Sequence, residues 1–383
     1  MVLDFVYISI IIALGMGFIN RFRKELTSAN FKRLQYLFFF HLLIGTYYCF
    51  FISGDAVGYW EIPKKYSFKT FLDGIVEGEG TQFLMSLNYI FTNFLEMPYL
   101  SNTLLFSLFG FIGMTFFYMV VVKTIPYVKV LKGHALFPLL FFLPNLHIWS
   151  VSIGKDSILF MCIGMFAYSI LKPLSRIPLI AVSVLLALAI RPHMVLFMLV
   201  GFGIAYVFGG KVSGIKRIIF SAILIGVGIA ILPRVLEFAK IEDASVEAFD
   251  NFAQYKSGVL SRASSGSAID ISSYPFPLKV VTFWFRPLFF DAHNINSLLA
   301  SIENILLVSL FVMAMRLKPL KAFKAAPFVI KGLVIFLIVG TLAFSQSLGN
   351  LGIMIRMRNM FLPGMLIFLL WVFSYHYQTR LKK

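Results

Sequence analysis

Residues 99–122 read YLSNTLLFSLFGFIGMTFFYMVVV, twenty-four positions without one charged side chain. A run that long matches the roughly 20 apolar residues a helix needs to cross the ~30 Å hydrocarbon core of a bilayer. It has neither the strict alternation of a barrel strand nor the polar face of a soluble amphipathic helix. Backbone N–H and C=O groups in hydrocarbon must be satisfied within their own segment, so the run reads as a membrane-spanning helix.

The rest of the chain repeats the pattern. Of its 383 residues, 59% are hydrophobic and 13% charged, with a mean hydropathy of +0.87, against roughly 45–50% and 25% in soluble domains. Eleven apolar runs stand out, near residues 3–20, 34–52, 99–122, 133–150, 157–171, 177–190, 194–209, 216–233, 297–315, 328–345 and 359–375. The sequence therefore predicts an all-α, polytopic transmembrane helical bundle of about 11 spans (10–12), with residues 1–383 forming one integral membrane domain. The N-terminal run has Asp4 but no basic residues before it, which reads as a retained first span and not a cleaved signal.

A net charge of +17 would point to nucleic acid in a soluble protein. Here the Lys and Arg gather in short loops between apolar runs, so they orient the chain, and no nucleic-acid partner is expected. With these spans, 21 of the 34 basic residues fall on one side, packed into short loops, and 13 fall on the other, spread over long ones. The positive-inside rule makes the first side cytoplasmic, with the N-terminus outside and the C-terminus inside. Two outer loops are long: residues 53–98, containing EGEGTQFLMSLNYIFTNFLE, an amphipathic run suited to the membrane surface, and residues 234–296, opening as an acidic amphipathic helix.

Five polar islands then share the outer face. They are SGDAVGYW (Asp55, Tyr59), SIGKDS (Lys155, Asp156), RPHM (Arg191, His193), FRPLFFDAHN (Arg286, Asp291, His293) and SQSLGNLGIMIRMRN (Arg356, Arg358). Ionisable groups near membrane depth are costly and usually paired or functional. Guanidinium forks match phosphate oxygens bidentately, so Arg191, Arg286, Arg356 and Arg358, with Lys155, suit a lipid-linked phosphate or pyrophosphate. Asp55, Asp156 and Asp291 either act as general bases toward a sugar hydroxyl or pair with those arginines. Tyr59 and His293 supply hydrogen bonds to a glycan. Each island also has a plain structural reading: an Arg-Pro at a helix end snorkels to the interface, and GKDS is a helix start without a phosphate-binding loop around it. Six histidines without HxH or HExxH spacing, and two cysteines inside apolar runs, Cys49 and Cys162, predict no metal, no cofactor and no disulfide framework.

The order of these islands resembles the polytopic membrane proteins of bacterial surface-polysaccharide clusters, similar to Wzy-type O-antigen and capsule polymerases and to EpsG-like proteins. The elements are a GD-x-x-x-Y segment after an early span, S-x-G-K-D, an RP at a helix end, FRPLFFDAHN before a span and NLG…R-x-R before the last one. The resemblance implies a metal-independent, inverting glycosyltransferase reaction at the outer face of the inner (cytoplasmic) membrane. The donor would be an oligosaccharide on undecaprenyl pyrophosphate. In that picture the arginines bind the pyrophosphate leaving group, and Asp291 or Asp55 deprotonates the acceptor. Partners would be the lipid-linked oligosaccharide, membrane lipids, a chain-length regulator and a flippase. Two other readings are open: a GT-C-like glycosyltransferase using a polyprenyl-phosphate sugar, with Asp55 in its first outer loop, and a transporter or flippase of lipid-linked glycans.

Overall fold

The computed structural model describes residues 2–52, 54–131, 134–209, 214–241, 243–262 and 266–381. Ser53 of the first polar island and Ser264 of the second long loop lie outside them. The described chain is helical apart from one short antiparallel hairpin, β1 (Lys129–Leu131) with β2 (His134–Ala135). It divides into two compact units, Met1–Thr124 with Pro138–Arg191, and Ile125–Phe137 with Pro192–Lys383.

The first unit holds α1 (Val2–Asn20), α2 (Ser28–Phe51), α3 (Asp55–Glu61), α4 (Phe68–Val76), α5 (Thr81–Tyr89), α6 (Tyr99–Thr124), α7 (Pro144–Ile148), α8 (Lys155–Ser169) and α9 (Ile177–Ile190). Its core is built around α6, where Phe106, Phe111 and Phe117 are fully enclosed, Phe111 against Phe38 of α2 and Phe117 against Phe160 of α8. The backbones of α6 and α8 approach because the crossing is built on glycine: a Cβ on Gly113 would sit 2.6 Å from the Phe160 carbonyl. Small residues play this part where lipid gives helices no hydrophobic reason to associate.

The second unit holds α10 (Pro192–Gly209), α11 (Gly214–Ala239), α12 (Val246–Ser261), α13 (Phe276–Phe285), α14 (Ile295–Met315), α15 (Pro319–Ala325), α16 (Phe328–Ser347), α17 (Leu351–Arg358) and α18 (Leu362–Leu381). Here α10 packs along α16, again through a glycine: a Cβ on Gly201 would meet the Phe336 backbone nitrogen at 2.7 Å.

Among the described residues, six helices are long and apolar enough to cross a membrane: Val2–Glu25, Ser28–Phe51, Tyr99–Thr124, Arg217–Ala239, Ile295–Met315 and Phe328–Ser347. The pair α17 and α18, bent by 62°, makes a seventh if taken as one span. The protein is thus an all-α membrane protein. Three expectations change. The run 133–150 is not one helix: Pro138 and Pro144 split it into a hairpin strand, a 3-10 turn over Leu139–Phe142 and the five-residue α7, since proline removes a ladder donor and pushes the preceding residue out of the helical region. The acidic helix expected to open the second loop is two helices, α11 continuing to Ala239 and α12 starting at its Ser245 cap. The run expected on the membrane surface folds as α5 and a π turn, burying Leu84, Ser86, Asn88 and Tyr89.

Candidate functional site

In the first unit, the second island and the arginine of the third come together. Arg191, at the C-terminus of α9, sets its guanidinium 3.0 Å from a carboxylate oxygen of Asp156, in the first turn of α8, and both are buried. The neighbouring Lys155 ammonium donates to Thr81 Oγ1 at 2.9 Å, tying the start of α8 to the start of α5. The Gly80 N–H donates to the Ala189 carbonyl at 2.9 Å, closing the same corner onto α9.

Both helix starts that meet here are capped by glycine, Gly80 before α5 and Gly154 before α8, and neither has a side-chain cap. At Gly80 the choice is forced, because its φ of 59° lies in the left-handed region. The first N–H groups of a helix lack intrahelical acceptors, and each N-terminus behaves as roughly half a positive charge. Lys155 and Arg191 are formally balanced by Asp156 and by Glu79, one residue before the cap. Two helix N-termini meet at this corner, an arrangement that favours an anion.

In the second unit, the fourth and fifth islands meet. Arg286 grips Asp291 bidentately, Nε to Oδ2 at 3.0 Å and Nη2 to Oδ1 at 2.5 Å, while its Nη1 reaches the Tyr274 hydroxyl at 3.4 Å. The Leu288 N–H also donates to the Asp291 carboxylate. Burial alone would push this carboxyl up, but the Arg286 guanidinium and the Leu288 amide outweigh it and hold Asp291 below the usual carboxylate range. The bond to Asp291 raises Arg286 against a smaller opposing effect of burial. His293 is exposed beside Gly266, and its N–H donates to Ser297. Backbone bonds from Ile269 to Gly349 and from Leu351 to Ser267 bring the second long loop to the start of α17, which Asn350 caps through Ile353 N–H.

Arg358 is 1% exposed. Its guanidinium donates to the Trp284 and Arg286 carbonyls and to Asn304 Oδ1. Enclosed this way, the guanidinium fastens α13 and α14 to α17. Arg356, two residues earlier on α17, is half-buried.

Of the three candidate bases, Asp156 and Asp291 are paired with arginines, whereas Asp55 is exposed in the first turn of α3. Tyr59 is buried and its carbonyl accepts from Asn88 Nδ2 at 2.7 Å, so it supports the loop. His193 lies among Phe197, Phe238 and Phe344 in the second unit.

Sequence reasoning passed over several buried polar groups in each unit. His41 and His147 are fully buried with their Nδ1 atoms 2.6 Å apart, and His147 Nε2 lies 2.7 Å from the Phe141 carbonyl. A carbonyl only accepts, so His147 carries its proton on Nε2 and His41 donates from Nδ1. Asn102, bonded to Asn88, and the pair Glu303 and Asn304 in α14 are likewise enclosed. Their signal was a single polar residue or pair inside an apolar run.

No protein-family model, no curated protein and no solved structure matches this chain. Functional inference therefore rests on the residues alone.

Proposed function

We propose that this chain joins lipid-linked oligosaccharide repeat units, carried on undecaprenyl pyrophosphate, into surface polysaccharide at the outer face of a bacterial inner membrane. The single observation that supports this best is the corner of the first unit where two glycine-capped helix starts converge on Lys155, Thr81 and the Arg191–Asp156 pair. In this reading the N–H groups of α5 and α8, with Lys155, take the pyrophosphate, and Arg191 and Asp156 fix the corner's geometry. The acceptor hydroxyl oxygen attacks the anomeric carbon of the donor. The bond from that carbon to the pyrophosphate oxygen breaks, the leaving group departs with its electron pair, and the hydroxyl proton passes to Asp55, the exposed carboxylate of the three. The anomeric centre inverts. This reading keeps about 11 spans (10–12), the N-terminus outside and the C-terminus cytoplasmic, which puts residues 53–98 and 234–296 outside.

Replacing Lys155 by Ala is expected to abolish long glycan chains on a gel while single lipid-linked repeat units are still made. Unchanged chain length in that variant sinks the assignment.

Two observations favour other readings. Exposed Asp55 in the first long loop also fits a GT-C-like transferase using a polyprenyl-phosphate sugar, which differs in its product, one added sugar in place of a ladder. The buried polar groups His41, His147, Glu303 and Asn304 fit a transporter or flippase; in that case the Lys155→Ala cells would lose surface display of single units as well as chains.

A further inference from the structure

The helix α4 carries a row of exposed apolar side chains: Phe68, Leu72 and Val76, at i, i+4 and i+8, are 57%, 43% and 79% exposed. Its other side is fitted closely to α5, where Phe71 stacks on Tyr89 at 4.8 Å and Gly74 lies against Ser86. Lys69 and Asp73 form an adjacent polar row, both exposed. At nine residues α4 is too short to span a bilayer.

Its position in the chain says what meets the apolar row. α4 lies between two spanning helices: α2 ends at Phe50 and Phe51, 66% and 71% exposed, and α6 begins at Tyr99. Between them Trp60 packs on Tyr99 at 5.5 Å, donates to the Met97 carbonyl at 2.9 Å, and has the Lys64 ammonium over its ring. Trp and Tyr beside a snorkelling lysine mark the level of a membrane–water interface. A short amphipathic helix starting eight residues beyond that Trp meets the same interface.

We infer that α4 is an interfacial anchor, with Phe68, Leu72 and Val76 sunk ~5–10 Å into the boundary between headgroups and acyl chains. Because α4 is packed on α5, and α5 begins at the Gly80 and Thr81 corner, seating α4 holds that corner at headgroup depth, where the phosphate groups of any lipid-linked substrate lie. The consequence for substrate rests on the function proposed above; the seating of α4 does not.

The test uses the full chain with Cys49→Ser and Cys162→Ala, reconstituted in nanodiscs of phosphatidylcholine and phosphatidylglycerol. An NBD fluorophore is placed on a single cysteine at Val76 or, on the polar row, Lys69, with lipids brominated near the headgroup end or near the middle of the acyl chain. The expected result is blue-shifted emission at Val76, quenched more by the shallow bromines, and an aqueous, unquenched signal at Lys69. Leu72→Asp should return the Val76 probe to an aqueous spectrum.

An aqueous spectrum at Val76 overturns the inference. So does a blue shift that bromine does not quench, or one kept in detergent together with cross-linking between copies, since either means protein and not lipid covers the row. Lys155→Ala provides the separation. Quenching at Val76 with normal chain elongation in Lys155→Ala would refute only the proposed function; no quenching with lost elongation would refute only the anchor.

Discussion

The two units each hold an arginine–aspartate pair, and they spend it differently. In the second unit Arg286 is bonded at both ends of its fork to Asp291, with Tyr274 on its remaining nitrogen, and Arg358 below it serves backbone carbonyls. The donors are consumed by the protein, and the result is a joint between α13, α14 and α17. In the first unit Arg191 meets Asp156 at 3.0 Å, at a corner where two helix starts lack side-chain caps. The same residue types make a fastening in one place and, in the function proposed above, a receptive corner in the other, and what separates them is how the surrounding backbone donors are used.

The largest expected effect breaks the fastening. Arg358→Met leaves Asn304 and two carbonyls without their donor and Glu303 without its neighbouring cation, so a loss of about 3–5 kcal/mol is expected, read as a lowered midpoint in thermal unfolding of the detergent-solubilised protein. A midpoint near wild type would mean that Arg358 is not the joint described. Next come Arg191→Ala and Asp156→Ala, each removing half of a buried pair at similar cost. Their double variant should lose clearly less than the sum, because neither charge is then left alone; strict additivity would dissolve the pair.

Smaller and more discriminating is Lys155→Ala. Its partly buried bond to Thr81 contributes on the order of 1 kcal/mol, so the protein should stay folded while chain elongation is lost. Arg286→Ala should do the reverse, with stability falling further than elongation. The smallest effect is a pH slope. The folded Asp291 carboxyl titrates below its unfolded value of about 3.9, so its contribution is complete above that value and is lost as pH falls through the lower, folded one. Acid unfolding of Asp291→Asn should therefore be shallower than wild type, and an identical slope would remove the ion pair from the account.

Much of the fold could be read in the chain because long uncharged runs admit few alternatives: α1, α2, α6, α14 and α16 fall where the apolar runs are. Residues 133–150 misled because their composition is apolar although two prolines forbid one helix. The convergence of Lys155 and Arg191 could not be read, since it depends on Thr81 and Ala189 closing a corner between segments more than 70 residues apart. Glu303 and Asn304 interrupt the apolar run of α14, and that pair is the visible sign that Arg358 turns inward. Periodicity reports which residues avoid water and says little about which partner a buried cation finds.

The most direct measurement is the affinity of an undecaprenyl-pyrophosphate-linked repeat unit for the nanodisc-embedded protein, comparing wild type, Lys155→Ala and Arg286→Ala. The account predicts a loss of about tenfold or more, ~1.4 kcal/mol, for Lys155→Ala and little change for Arg286→Ala. Equal affinity of Lys155→Ala and wild type, or a loss confined to Arg286→Ala, would contradict it and move the receptive site to the second unit.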